Sequence, residues 1–449
     1  MNEWQTKDLQ YIWHPCSQMK DYENFPPIVL ERGEGVYLYD IEGQRYLDAI
    51  SSWWVNLFGH ANPRINQAIA RQLDKLEHSI FVNFSHLPAV ELAERLIEIC
   101  PPGLGKIFFS DDGSTAVENA LKISFQYYQQ TGKPKKRKFA AINNSYHGET
   151  LGAMSVNNID LYSKIYKPLL INTMRIEGPD CYRCPYQKER DSCQAECFEH
   201  MEKCLADNQE ETAAVIIEPM VQGAAGMRIY SPVYLQKLRK ACDQYDVLLI
   251  ADEIAVGYGR TGKMWAVEHA GIAPDILCSS KGLTAGYLPM ALTITTNEIY
   301  DAFYDDYQTM KAFLDSHSYT GNPTTCALAV ENLNIFRDDN VLENNILRSQ
   351  KIRQQVENTL LEHPHVDGFR QLGMITAIEL VQDKKTKTGF DWRERVGYEI
   401  YKLALQHGVL LRPLGDVLYF LPPYIINDEE ITEMVTAARQ AIDEYFSRR

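Results

Sequence analysis

The sequence predicts an α/β fold, and three observations carry the prediction. Residues 247–251 (VLLIA) are an unbroken apolar run, the pattern of a strand buried on both faces, and the run stops at two carboxylates, Asp252 and Glu253. A second apolar run, 276–278, leads through Ser279 and Ser280 to Lys281 and Gly282, so an amine sits where another strand ends. From residue 106 onward, strand-like runs alternate with helix-like ones. Ligands of open α/β sheets bind outside the carboxyl ends of the strands, so Asp252 and Lys281 define a candidate site. The alternative is that Asp252 caps a turn and Lys281 is a solvated surface residue, as most charged residues are.

At 449 residues the chain can hold two or three domain-sized cores, and 45% hydrophobic residues is ordinary for a globular protein. A net charge of −15 argues against nucleic-acid or anionic-membrane partners, because both repel an acidic surface. The start, MNEWQTKDLQ, lacks a basic-then-apolar pattern and no apolar run reaches bilayer length, so the expected location is cytoplasmic. Ten cysteines, several inside apolar segments, suit buried thiols better than a disulfide framework.

Taken in order, residues 1–60 carry no long helical pattern, and VYLYDIEGQRYLDAI alternates around Glu42-Gly43, which reads as a hairpin. The adjacent Trp53 and Trp54 of SSWWVNLFGHANP are either core or interface residues or part of a pocket wall. Helical spacing follows from 63 to 78 and from 88 to 99. The strand KIFFS then runs through Asp111 and Asp112 into Gly113-Ser114-Thr115, which opens a helix. Free backbone N–H groups, the positive dipole end and two hydroxyls coincide there, so the position is a phosphate site or an ordinary N-cap. FAAINNSYHGET reads as a strand followed by a loop carrying Tyr146 and His147. Residues 178–204 interrupt the alternation with Cys181-x2-Cys184 and Cys193-x3-Cys197, spacing compatible with four-thiolate zinc or with free thiols in an insertion. AAVIIEP is a strand ending at Glu218, 231–245 a helix, and PMALTITT a strand. A long helix starts near 325, followed by a strand MITAIELV, a helix 392–406, a two-strand ribbon GVLLRPLGDVLYFLPPY and a helix 428–446. Arg412 lies inside that apolar ribbon, where an unpaired charge is costly; its partner is an internal carboxylate or a bound anion.

The stretches ADEIAVGYGRTGKMWAVEH and PDILCSSKGLTAGYLPMA resemble the signature of the class III aminotransferases, fold-type I enzymes that use pyridoxal phosphate (PLP), and the likeness covers nearly the whole chain. SSWW and LRPLGD narrow it to the branch that aminates 8-amino-7-oxononanoate in biotin biosynthesis. The resemblance implies a large domain with a mostly parallel seven-stranded sheet (63–324) and a smaller α/β domain from 1–62 and 325–449. It makes Lys281 and Asp252 catalytic, Lys281 bonding the cofactor aldehyde and Asp252 facing its ring nitrogen. Gly113 and Ser114 take the cofactor phosphate, Tyr146 contacts cofactor and substrate, and Trp53 and Arg412 line the substrate pocket, Arg412 binding the substrate carboxylate. It also implies an obligate homodimer, in which the loop FLDSHSYTG reaches the partner's cofactor through Ser318, with Ser316 and His317 beside it. The reaction needs no metal, which favours free thiols at the four cysteines.

Two departures from the family pattern bear on the substrates. Glu149 stands where relatives more often carry Asp, which reshapes recognition of the substrate amine. Members that take S-adenosylmethionine as amino donor carry a tyrosine after the His-Pro of the N-terminal segment, and this chain has Cys16. An aromatic face favours a sulfonium and a phenol donates a better hydrogen bond than a thiol, so lysine is an alternative donor. S-adenosylmethionine remains the first expectation as the commoner donor of the family.

Overall fold

The computed structural model describes residues 1–449. Its centre is a seven-stranded sheet with strands in the spatial order Leu104–Ser110, Ala291–Thr296, Ile276–Ser279, Leu248–Asp252, Thr212–Ile217, Lys138–Ile142 and Met174–Ile176. Only Ala291–Thr296 runs antiparallel to its neighbours, so the sheet is mostly parallel as expected. Strands Thr212–Ile217 and Leu248–Asp252 are buried at every position because helices cover both faces, which is why they carry no alternation.

The flanking helices follow their sequence signals closely. Asn62 caps Pro63–Leu73 with Pro at the first helical position, and Ser231 caps Pro232–Tyr245 in the same way. The expected long helix from 325 is two, Pro323–Asp338 and Val341–Thr359, because Asn340 adopts φ 45° between them and ends the first run. The N-terminal segment contains a helix, Glu3–Tyr11, that the sequence pattern did not reveal; it has no buried face and rests on a capping box between Asn2 and Gln5.

The hairpin Tyr37–Asp40/Arg45–Asp48 forms as predicted, and Gly43 supplies the φ of +83° that its turn requires. Arg45–Asp48 then pairs in parallel with Val409–Leu410, which ties the N-terminal segment to the C-terminal third. The predicted C-terminal ribbon is not a ribbon. Val409–Leu410 joins that four-stranded sheet, whereas Val417–Phe420 joins a separate antiparallel sheet with Val366–Leu372 and Ile375–Leu380. Between them a turn closed by a bridge from Leu414 to Val417 carries Arg412. One apolar core runs from Leu277 and Leu292 of the central sheet to Ile352 and Met434 without a gap.

The ten cysteines are all free thiols, and no three or more His, Cys, Asp or Glu side chains are placed to hold a metal ion. No helix is long and apolar enough to cross a membrane.

Candidate active site

The carboxyl ends of the central strands open into a cavity of about 550 Å³. Asp252, the last residue of its strand, and Lys281, two residues after the end of the neighbouring one, both line it. The second carboxylate of that strand end does not. Glu253 points the other way and accepts from Ala266 N and Val267 N, each at 2.9 Å, and burial pushes its pKa up to about 8.

Lys281 is held in an uncommon backbone conformation, φ 43°, by its neighbours. Ser280 Oγ donates to Met290 O at 2.9 Å, and Asn332 Nδ2 donates to the carbonyls of Gly282 and Leu283, both at 2.9 Å. Gly282 packs against Tyr258 so closely that a Cβ would lie 2.9 Å from the tyrosine Cβ. The Lys281 ammonium lies 5.5 Å from the Trp54 ring centroid. Burial holds its pKa below the ordinary lysine value, while Asp252 and Glu218 act in the opposite direction.

Asp252 is 5% exposed and oriented from two sides. Its Oδ1 accepts from Ile254 N at 3.1 Å, and its Oδ2 lies 2.7 Å from His147 Nδ1. The Asp252 carboxylate accepts from Nδ1, and the buried Nε2 of His147 has no hydrogen-bond partner. Glu218 also lines the cavity, accepting from Gly223 N at 2.9 Å and Tyr146 N at 3.1 Å, and burial raises its pKa to about 7. The sequence places His147 on the loop after a strand and Glu218 at a strand end, both at the pocket, but not the partners the structure gives them, Asp252 for one and the N–H groups of Tyr146 and Gly223 for the other.

Opposite Lys281, the helix Gly113–Gln130 starts at the cavity wall. Asp112 caps it, accepting from Thr115 N at 3.1 Å, and its leading N–H groups have no intrahelical partner. A Cβ on Gly113 would lie 3.0 Å from Ile254, and one on Gly148 only 2.0 Å from Ser114 Oγ, so glycine keeps this cradle open. Amine, carboxylate and helix start thus face one space, an arrangement that fits an aldehyde cofactor with a ring nitrogen and a phosphate.

The outer half of the cavity is set by a left-handed turn. Ser51, Ser52, Trp53 and Trp54 all have positive φ, an arrangement costing about 1–2 kcal/mol per residue. Asp48, fully buried, offsets this by accepting from Ser52 N at 2.9 Å and Ser52 Oγ at 2.6 Å, and Ser51 Oγ donates to Leu421 O at 2.6 Å. Arg260, also buried, donates to the carbonyls of Trp54, Asn56 and Pro422. Trp54 is thereby fixed, its Nε1 donating to Tyr419 OH at 2.9 Å. Trp53 faces the cavity with the Arg412 guanidinium 3.9 Å over its ring. Arg412 stacks on Trp53 and forms no ion pair with a carboxylate of the chain, so the internal salt bridge open to it in the sequence does not form.

Cys16, Tyr146 and Glu149 line the same chamber. Glu149 Oε1 accepts from Tyr146 OH at 3.0 Å and from the Cys16 thiol at 3.8 Å, and burial raises the thiol pKa, with Glu149 acting the same way. Ser316, His317 and Ser318 do not line the chain's own cavity. They are exposed, and His317 Nδ1 lies 2.6 Å from Asp111 Oδ2 at its rim.

The ends of a seven-stranded, mostly parallel sheet thus bring a buried amine, a histidine-held carboxylate and a glycine-lined helix start to one cavity, the layout of a group-transfer enzyme. The family model "Aminotransferase class-III" matches residues 17–442, and the chain belongs to that family of PLP enzymes. Among curated relatives, an adenosylmethionine-8-amino-7-oxononanoate aminotransferase of Geobacter sulfurreducens is 46% identical over 97% of this chain and 96% of its own. One from Anoxybacillus flavithermus is 42% identical over 100% and 98%. The crystal structure of the enzyme of that name from Methanocaldococcus jannaschii superposes with a TM-score of 0.93 at 40% identity, covering 98% of both chains. An omega transaminase from Pseudomonas jessenii superposes at 0.94 with 32% identity, covering 100% and 99%.

Proposed function

We propose that this chain transfers an amino group from S-adenosylmethionine to 8-amino-7-oxononanoate, giving 7,8-diaminononanoate for biotin biosynthesis. Relatives bearing that activity in their names, 46% and 42% identical over essentially the whole chain, support the reaction. The observation that carries it at the site is Arg412, a cation with no internal partner at the far end of the Lys281 cavity, suited to the carboxylate of a long keto acid.

Lys281 would hold PLP through its aldehyde, Asp252 through the ring nitrogen, and the helix start at Gly113 and Ser114 through the phosphate. Bound there, the cofactor supplies an electron sink for the carbon that loses or gains a proton. Asp252, oriented by His147 Nδ1, would face that ring nitrogen and sustain the positive charge that makes the sink effective. Lys281 Nζ, whose pKa burial holds down, has an unprotonated fraction at lower pH than an exposed lysine and serves as the base. It removes the proton from the amine-bearing carbon of the donor and, in the second half-reaction, returns one to C7 of the acceptor. Tyr146 and Trp54 wall the reacting end, and Trp53 and Arg412 align the acceptor's aliphatic chain and carboxylate.

We also read the protein as a homodimer with shared sites. The loop carrying Ser316, His317 and Ser318 is flanked by Tyr307, Met310, Leu314 and Tyr319, 93%, 83%, 91% and 68% exposed in the single chain, an apolar surface that a second copy would cover. Cys16 favours lysine as a second donor reading. Single-turnover absorbance changes of the cofactor, followed with each donor alone, decide between them: conversion by S-adenosylmethionine supports the first reading, and conversion by lysine alone replaces it.

A further inference from the structure

The short turn Asp160–Ser163 brings Tyr162 into the outer chamber of the cavity. Its ring meets that of Tyr146 edge-on, centroids 5.3 Å apart at 62°, and its hydroxyl makes no hydrogen bond in the chain. The groups it faces are Cys16, Glu149 and Arg412. Glu149 accepts from the Tyr146 phenol and the Cys16 thiol and joins no ion pair, so its carboxylate is open to a cationic ligand entering the chamber. A carboxylate beside two aromatic faces is the chemistry that receives a cation.

We propose that Tyr162 is the donor-recognition residue of this protein: its ring, with the Glu149 carboxylate, receives the positively charged sulfur of S-adenosylmethionine, supplying from the Asp160–Ser163 turn the aromatic contact that Cys16 does not make. The inference rests on the donor reading given above and locates the residues that carry it. The acceptor sends its carboxylate to Arg412 and carries its own ammonium beside the reacting carbon, so a pair of donor analogues that differ only at sulfur, and not the acceptor, isolates this contact. Tyr162 is half-buried and unbonded through its hydroxyl, so its replacement leaves the fold intact.

The probe is a matched pair of ligands, S-adenosylmethionine and S-adenosylhomocysteine, which differ by the methyl group that makes the sulfur positive. Their affinities are measured by calorimetry on the cofactor-free chain, and by saturation and competition in the donor half-reaction of the loaded enzyme. Tyr162→Leu should weaken S-adenosylmethionine about 2- to 30-fold, the range of a cation–aromatic contact, with S-adenosylhomocysteine changed less than about twofold. Tyr162→Phe should keep most of the preference for the charged sulfur. Equal weakening of both sulfur ligands, or no change in either, overturns the proposal. If the wild type takes lysine and not S-adenosylmethionine in both formats, the donor reading fails by itself. Tyr162 is then judged on the lysine ammonium, and an unchanged lysine KM in Tyr162→Leu rejects it as well.

Discussion

Replacing Arg412 by alanine isolates the substrate contact because the guanidinium has no other strong partner. It lies 3.9 Å over the Trp53 ring and pairs with no carboxylate, so Arg412→Ala leaves no buried charge behind, the usual reason such changes unfold proteins. The folding cost is limited to the stack, about 0.5–1 kcal/mol, which predicts a melting temperature within about 4 °C of the wild type. A hydrogen bond to a charged group contributes about 1.5–3 kcal/mol, and at about 1.4 kcal/mol per decade this raises the KM for 8-amino-7-oxononanoate about 10- to 150-fold. The carboxylate is remote from the reacting carbon and bound equally before and during the reaction, so kcat should change little. Arg412→Lys, which keeps the charge and loses the fork and the stack, should fall between. The assay is steady-state kinetics in the acceptor with the donor half-reaction measured separately. Equal damage to both half-reactions, or loss of the folded state, would refute the assignment of Arg412 to the acceptor carboxylate.

Lys281→Ala should abolish turnover and the borohydride-stable attachment of PLP seen by mass spectrometry, while PLP still binds reversibly through its phosphate; near-normal turnover rejects the residue's role. Because burial lowers the Lys281 pKa, the rate of PLP attachment to the cofactor-free protein should rise with pH and level off below the ordinary lysine range. Asp252 raises that pKa, so Asp252→Asn should move the midpoint further down; a midpoint at or above the ordinary value contradicts both statements. His147→Phe fills the ring's space without donating to Asp252 and should weaken PLP binding about 10- to 150-fold, measured by fluorescence titration, an unchanged affinity assigning His147 no part in positioning Asp252. Protein purified without added metal should contain no stoichiometric zinc by elemental analysis; one zinc per chain, lost in a Cys184→Ser/Cys193→Ser double variant, would reverse the reading of the Cys181–Cys197 segment.

The features that sequence made legible are those a local pattern dictates. Asp252 and Lys281 stood out because fully buried strands must be apolar and end where charge begins, and Gly113-Ser114 because a helix start after a strand has its own residue signature. Arg412 was marked by a charge in an apolar run, and the structure shows its guanidinium stacked on Trp53 with no carboxylate paired to it. What stayed hidden is fixed by distant partners. No propensity puts four consecutive non-glycine residues, 51–54, at positive φ; Asp48, Leu421 and Arg260 do, through hydrogen bonds spanning up to 370 positions. The run 408–424 alternates like a hairpin, and it splits because Arg45–Asp48 and Ile375–Leu380 each claim one half. Tyr162 sits in a segment with no periodicity, where nothing in the chain signals that its ring enters the cavity.

The most direct measurement is product formation by the purified, PLP-loaded protein given S-adenosylmethionine and 8-amino-7-oxononanoate, read by mass spectrometry. The proposed function predicts 7,8-diaminononanoate in amounts that require both substrates and disappear in Lys281→Ala. Turnover with an ω-amino acid and a simple keto acid, and no 7,8-diaminononanoate from either S-adenosylmethionine or lysine, would contradict it.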